Sequence, residues 1–249
     1  YNNLGYIYYT LNYLPMQAYC YKKALFICDS LSLPQIYRDN SYFMLAFCYV
    51  QLKNYPQAHY YLNKVYPQIN DMPLYNRYFL LNTFVNFYYY QKKYEESWSY
   101  LMKIFDEVAQ HQNDMPSEYA TLEANYADLS IKLNKDLNKA KDYLQKAKAY
   151  FQSTKVAISI YYIMTMELEL ALKQNDLQTA ASLVQQISHD STVNVPINYQ
   201  QRRNDVLTEY YKRTGNYSKA LAILAAQLPI EDSIRSEEHN NYVAELDLR

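Results

Sequence analysis

Glycine is nearly absent from this sequence, with only Gly5 and Gly215 among its 249 residues. Tight strand turns and phosphate-cradling loops need backbone at positive φ, which glycine reaches at least cost. A chain this poor in glycine is better suited to long helices joined by short helical turns. No G-x-x-x-x-G-K, G-x-S-x-G or H-E-x-x-H pattern occurs in it. Cysteine is scarce as well. Cys20, Cys28 and Cys48 are odd in number and stand at no metal-ligand spacing, so they read as small buried apolar residues. The longest apolar run, Tyr42 to Val50, is nine residues, half of what a membrane helix needs. Neither charge sign dominates: the net charge is −1, which leaves no footprint for nucleic acid or an anionic membrane surface. His59, His111, His189 and His239 are widely separated, and Glu167 and Glu169, two apart, do not face one another on a helix. The sequence therefore offers no catalytic constellation; we expect no enzyme, no cofactor and no metal site.

What is abundant is tyrosine, 32 residues, within a chain that is 50% apolar. Tyrosine brings a broad apolar ring with a polar tip, which suits half-buried helix faces and recognition surfaces. One phrase recurs along the chain. It reads Lys53-Asn54-Tyr55-Pro56-Gln57-Ala58, Lys93-Tyr94-Glu95-Glu96-Ser97, Lys135-Asp136-Leu137-Asn138-Lys139-Ala140, Asn175-Asp176-Leu177-Gln178-Thr179-Ala180 and Gly215-Asn216-Tyr217-Ser218-Lys219-Ala220. With a weaker copy at Leu14, the aligned Tyr or Leu recurs at intervals of 41, 39, 43, 40 and 40 residues. A second phrase, Asn70-Asp71-Met72-Pro73, returns as Asn113-Asp114-Met115-Pro116. In both, Asp is expected to cap a helix whose first turn holds the Pro.

The periodicity predicts helices near 1–11, 14–30, 38–52, 55–68, 73–91, 94–111, 116–133, 137–152, 154–174, 177–188, 196–214 and 217–228, and a last one from 231. All eight prolines fall at or near the ends of these segments, where they break no interior hydrogen bond. The pattern resembles the tetratricopeptide repeat over nearly the whole chain. It carries Tyr42, Leu45, Ala46 and Tyr49, then Ala58, Leu62 and Val65, and again Leu207, Tyr211, Gly215, Tyr217, Ala220 and Leu224. The resemblance implies an all-α superhelix, a solenoid of about six hairpins over 1–230. The hairpins lie near 1–30, 38–68, 73–111, 116–152, 154–188 and 196–228, and residues 231–249 form a capping or exit helix.

In such solenoids the first helix of each hairpin lines the concave surface. That face would hold Asn2, Tyr6, Tyr9, Asn40, Phe43, Phe47, Phe79, Asn82, Asn86 and Tyr89. It continues with Asn125, Leu129, Lys132, Tyr162, Thr165, Glu169, Lys173, Arg202, Asp205, Glu209, Lys212 and Arg213. The early part is Asn and aromatic, the later part charged. Asn amides can hold an extended peptide backbone by donating and accepting, and aromatic rings can form pockets. The expected ligand-binding residues are Tyr6, Tyr9, Asn40, Phe43, Phe47, Asn82, Asn86, Tyr89 and Asn125. The family's chaperone-docking members grip a carboxylate with basic side chains at positions that here read Asn2, Tyr6, Phe47, Asn82 and Asn86. A chaperone-tail adaptor is therefore not expected.

After Pro229, Ile230-Glu231-Asp232-Ser233-Ile234 leads into a segment ending Glu245-Leu246-Asp247-Leu248-Arg249. This is similar to the tetratricopeptide sensor regions of Bacteroidetes-type transmembrane transcriptional regulators and hybrid histidine kinases. The resemblance implies an extracytoplasmic, periplasmic domain with a membrane span following it. The chain opens on an apolar helical pattern at Tyr1, without an initiator Met or signal peptide, and is expected to be part of a longer protein. The ligand would be a peptide, a protein segment or a small molecule. Nucleic acid is not expected to bind this fragment, and homodimerisation is left open. The alternative is a soluble, cytoplasmic scaffold that assembles proteins on the same groove.

Overall fold

The computed structural model describes residues 1–11, 13–34, 36–189, 197–229, 232 and 236, and every regular element among them is helical. In order these are α1 (Asn2–Thr10), α2 (Leu14–Ser30), α3 (Ile36–Gln51), α4 (Tyr55–Val65), a 3-10 turn (Tyr66–Asp71), α5 (Leu74–Tyr90) and α6 (Tyr94–Gln110). There follow α7 (Pro116–Leu133), α8 (Leu137–Ser153), α9 (Ala157–Lys173), α10 (Leu177–His189) and α11 (Ile197–Arg213). A further helix, α12, covers 217–229. The fold is all-α, built of consecutive helical hairpins. Of the helix expected from 231 onward, all but 232 and 236, which are helical, lies outside the described residues. No helix among the described residues is long and apolar enough to cross a membrane.

The recurring phrase turns out to be the turn inside each hairpin. Lys53, Lys92, Asn134, Asn175 and Gly215 all adopt positive φ, between 55° and 73°. Each ends a first helix with a bond that reaches back five residues. The Asn54, Lys93, Lys135, Asp176 and Asn216 amides donate to the carbonyls of Tyr49, Tyr88, Ser130, Ala171 and Tyr211 at 2.8–3.0 Å. The chain then starts the second helix at once. The side chains of Asn54, Asp176 and Asn216 accept from the amides of Gln57, Thr179 and Lys219 and so cap it.

Four residues after the Asn54, Lys93, Asp176 and Asn216 amides, and five after that of Lys135, stands the small residue of the phrase: Ala58, Ser97, Ala180, Ala220 and Ala140, all buried. A small side chain there lets the paired helices close up. Ser97 exploits the approach, donating its hydroxyl to the carbonyl of Val85 at 2.8 Å. Gly5 serves the same end between α1 and α2, where a Cβ would lie 2.8 Å from the ring of Tyr21.

The Asn-Asp-Met-Pro phrase behaves differently from expectation. Neither Asp caps a helix: the N-caps are Pro73 for α5 and Met115 for α7, without a side-chain bond at either. Asp71 is instead wound into the 3-10 turn, and the Asp114 amide continues the end of α6 by bonding to the His111 carbonyl. Asp71 stands two residues and Asp114 one residue before the N-cap, too early to reach the first helical amides.

The chain divides into two compact units, one built on Tyr1–Glu107 and the other on Val108–Arg235. In the first, Leu45, Ala46, Tyr49, Leu62, Val65, Leu80 and Phe84 form the center of the core. Tyrosine supplies much of the packing around them. Tyr49 and Tyr61 stack in parallel at 5.7 Å, and Tyr100 is sandwiched between Phe84 at 4.4 Å and Tyr88 at 5.3 Å. Such pairs add a fraction of a kcal/mol to about 1.5 kcal/mol beyond the area they bury. In the second unit, Tyr161, Met164, Leu168, Leu172, Ala180, Leu183, Ile187, Val206 and Leu207 join α9, α10 and α11. On the other side of α9, α7 and α8 contribute Leu122, Ile131, Leu144 and Ala147, all fully buried.

Candidate functional site

In each unit the first helices of successive hairpins lie side by side and present a common face. In the first unit these are α1, α3 and α5. Tyr9 of α1 meets Phe47 of α3 edge-on at 5.6 Å, Phe47 meets Phe79 of α5 at 5.3 Å, and Phe79 meets Phe43 at 4.6 Å. The three helices are thus bridged by an aromatic ladder. Nearer the start of the same two helices, the Ser41 hydroxyl of α3 donates to Asn2 Oδ1 of α1 at 3.0 Å. Tyr9, Phe43 and Phe47, expected to contact ligand, are brought together, and each stays half-buried, so the ladder also packs the helices. Burial, then the neighbouring phenols Tyr75 and Tyr6, push the Tyr9 hydroxyl up.

Tyr6 stands at the edge of the ladder, 6.0 Å from Tyr9 and largely exposed. Asn40 is exposed three residues before Phe43, and Asn82 and Asn86 are half-buried three and seven residues after Phe79. Helical spacing sets all three beside the rings. Tyr89 lies further along α5, packed edge-on against Tyr94 of α6 at 5.5 Å.

In the second unit the corresponding helices are α7, α9 and α11, and their common face is charged. Arg202 of α11 forks onto both oxygens of Asp128 of α7, Nη1 to Oδ2 at 2.8 Å and Nη2 to Oδ1 at 2.7 Å. The same guanidinium donates to Glu169 of α9 at 2.7 Å and to the Tyr162 hydroxyl at 2.6 Å. Tyr162 donates in turn to Asp128 at 2.8 Å, and Lys132 of α7 reaches Glu169 at 2.8 Å. Two carboxylates and two cations therefore neutralise one another while joining three helices. Burial by itself would raise the Asp128 and Glu169 carboxyls. The Arg202 charge, Lys132 and the hydrogen bonds donated to the two carboxylates together more than reverse this, and both are held below the usual carboxylate range. Burial, above all, lifts the Tyr162 phenol well above its ordinary value.

Lys132, Tyr162, Glu169 and Arg202 were all legible as face positions. Asp128 was not, because it hides in the otherwise small and apolar stretch Tyr126-Ala127-Asp128-Leu129-Ser130. Its partner lies 74 residues away. Leu129 and Thr165, also expected on the groove, are instead buried in the packing, and the Thr165 hydroxyl bonds back to the Tyr161 carbonyl. Glu167 and Glu169 do point apart, Glu167 pairing with Lys148 of α8 at 2.6 Å.

Beside the charged cluster lies a cavity of about 160 Å³ lined by Thr121, Ala124, Asn125, Phe151, Ile158, Ser159, Tyr162, Ile163 and Tyr199. Asn125, the one expected ligand residue in this unit, sits in its wall. No group of three or more His, Cys, Asp or Glu among the described residues is placed to hold a metal ion.

No family model matches the chain, and no curated protein matches it. Among solved structures, the crystal structure of BtubC (BKLC) from P. vanneervenii is similar, with a TM-score of 0.62 over 89% of this chain and 92% of that one. The two are 15% identical, so the likeness concerns the all-helical fold alone.

Proposed function

We infer that this chain is a non-catalytic binding module of tetratricopeptide type, which takes a peptide or protein segment along the face of its first helices. The observation that carries the reading is the face of α1, α3 and α5, where a ladder of half-exposed rings is flanked by Asn40, Asn82 and Asn86. Rings offer apolar pockets without demanding one sequence, and amides can pair with an extended backbone. In the second unit, the charges on the equivalent face are spent on one another, which suits a structural role better than proton transfer near neutral pH.

The resemblance of the segment after Pro229 to regulator sensor regions extends the proposal. The module would be the extracytoplasmic, sensory part of a transmembrane signalling or transcription regulator. A soluble scaffold would use the same face.

Peptides selected for binding from a random displayed library provide the probe. Replacing Asn82 and Asn86 together by Ala should weaken such peptides at least tenfold while leaving the helical circular dichroism unchanged. Undiminished affinity would remove the first-helix face as the binding surface.

A further inference from the structure

The geometry points to the cavity between α7, α9 and α11 as a site for one neutral, hydroxyl-bearing aromatic ring, such as a tyrosine side chain of a bound peptide. This deepens the peptide-binding reading and rests on it. Three observations lead there.

The first is size. A dry cavity of about 150 Å³ accommodates a benzene ring, and this one measures about 160 Å³. The second is the character of the wall. Ala124, Phe151, Ile158 and Ile163 are apolar, and the rings of Tyr162 and Tyr199 stand against each other at 4.7 Å. A flat apolar guest can pack edge-on or offset against such rings.

The third is charge. Through the Tyr162 hydroxyl the cavity wall is bonded to Arg202 and Asp128, yet these groups and Glu169 are bonded to one another and sum, with Lys132, to zero. A charged guest would have to break that cluster or lose its own hydration without a counter-ion. The Tyr162 hydroxyl is occupied as well, donating to Asp128 and accepting from Arg202, so Tyr162 brings its ring to the cavity. The hydroxyls of Ser159 and Tyr199, by contrast, make no hydrogen bond among the described residues. They can meet a neutral hydroxyl on the guest, which favours a phenol over a plain hydrocarbon ring.

The test is titration of the isotope-labelled chain with p-cresol, followed by amide NMR. Saturable shifts at millimolar concentration are expected, centred on Asn125, Ser159 and Ile163. Toluene should bind at least threefold more weakly and p-cresyl phosphate at least tenfold more weakly. Ala124→Leu, which fills the cavity, should abolish the shifts; Ser159→Ile at its wall serves the same purpose should the first variant unfold. Absence of saturable shifts, shifts that survive both variants, or equal binding of p-cresyl phosphate or methyl glucoside would overturn the assignment. If p-cresol fails while selected peptides still depend on Asn82 and Asn86, the cavity assignment falls and the binding reading stands. If p-cresol binds in the cavity but selected peptides ignore Asn82 and Asn86, the reverse holds.

Discussion

Arg202 and Asp128 stand 74 residues apart in sequence and meet in a two-pronged ion pair that ties α11 to α7. Between them passes α9, which contributes Tyr162 and Glu169 to the same cluster. The Asp128 side chain is 6% exposed and that of Arg202 13%. At such depth the pair gains strength from a low local dielectric, but a charge left without its partner is costly.

Removing one side of this pair should therefore be severe. Arg202→Ala should destabilise the second unit by about 3–5 kcal/mol, the usual cost of leaving a buried charge unpaired. Asp128→Ala combined with Arg202→Ala should cost much less than the sum of the two single changes. Urea unfolding of the four proteins measures this coupling. Acid should act in the same direction. The Asp128 and Glu169 carboxyls are depressed in the folded state, so their contribution is complete above the unfolded carboxylate values near pH 4. It is lost as pH falls further, through the folded values. In Asp128→Asn this part of the acid sensitivity should be reduced.

Glu123 of α7 should show the opposite dependence. It is 4% exposed, and burial, only partly opposed by Lys146 and reinforced by Asp142, lifts its carboxyl to about 7. A carboxyl whose folded value lies above its unfolded value favours folding while protonated. That advantage is full below the unfolded value and is lost as pH rises through about 7. Glu123→Gln should accordingly stabilise the protein by about 1–2 kcal/mol at pH 8 and have little effect at pH 5. Thermal unfolding at the two pH values checks this; equal effects at both would exclude titration of Glu123 as the cause.

The shortage of glycine leaves another mark. Lys155 ends α8 at φ 59°, in the same left-handed conformation that Gly215 occupies after α11. The Val156 amide bonds back to the Phe151 carbonyl at 2.9 Å across this turn. A β-carbon is disfavoured there, and the Lys155 side chain is exposed. Lys155→Gly should raise stability by about 0.5–1 kcal/mol, read as a higher urea midpoint with unchanged slope.

Helix positions and hairpin turns were readable because their causes are local. Pro15, Pro56 and Pro116 lie in first turns, Asn54 and Asp176 cap second helices, and Ala58, Ala140 and Ala180 mark where paired helices close up. Each acts within a few residues of its own position. Helical spacing likewise placed Phe43, Phe47 and Phe79 on one face, and Lys132, Glu169 and Arg202 on another. The Asp-caps expected in Asn-Asp-Met-Pro did not form, because the helices start one or two residues later than an Asp cap requires, which moves the carboxylates out of reach. What only the tertiary structure decided is which of the face residues touch. Stacking of α7, α9 and α11 brought Asp128 to Arg202, turned a charged stripe into a neutral cluster, and left a ring-sized cavity beside it. No local rule encodes that outcome: it depends on the register between helices separated by whole hairpins, and that register is set by the packing of side chains between them.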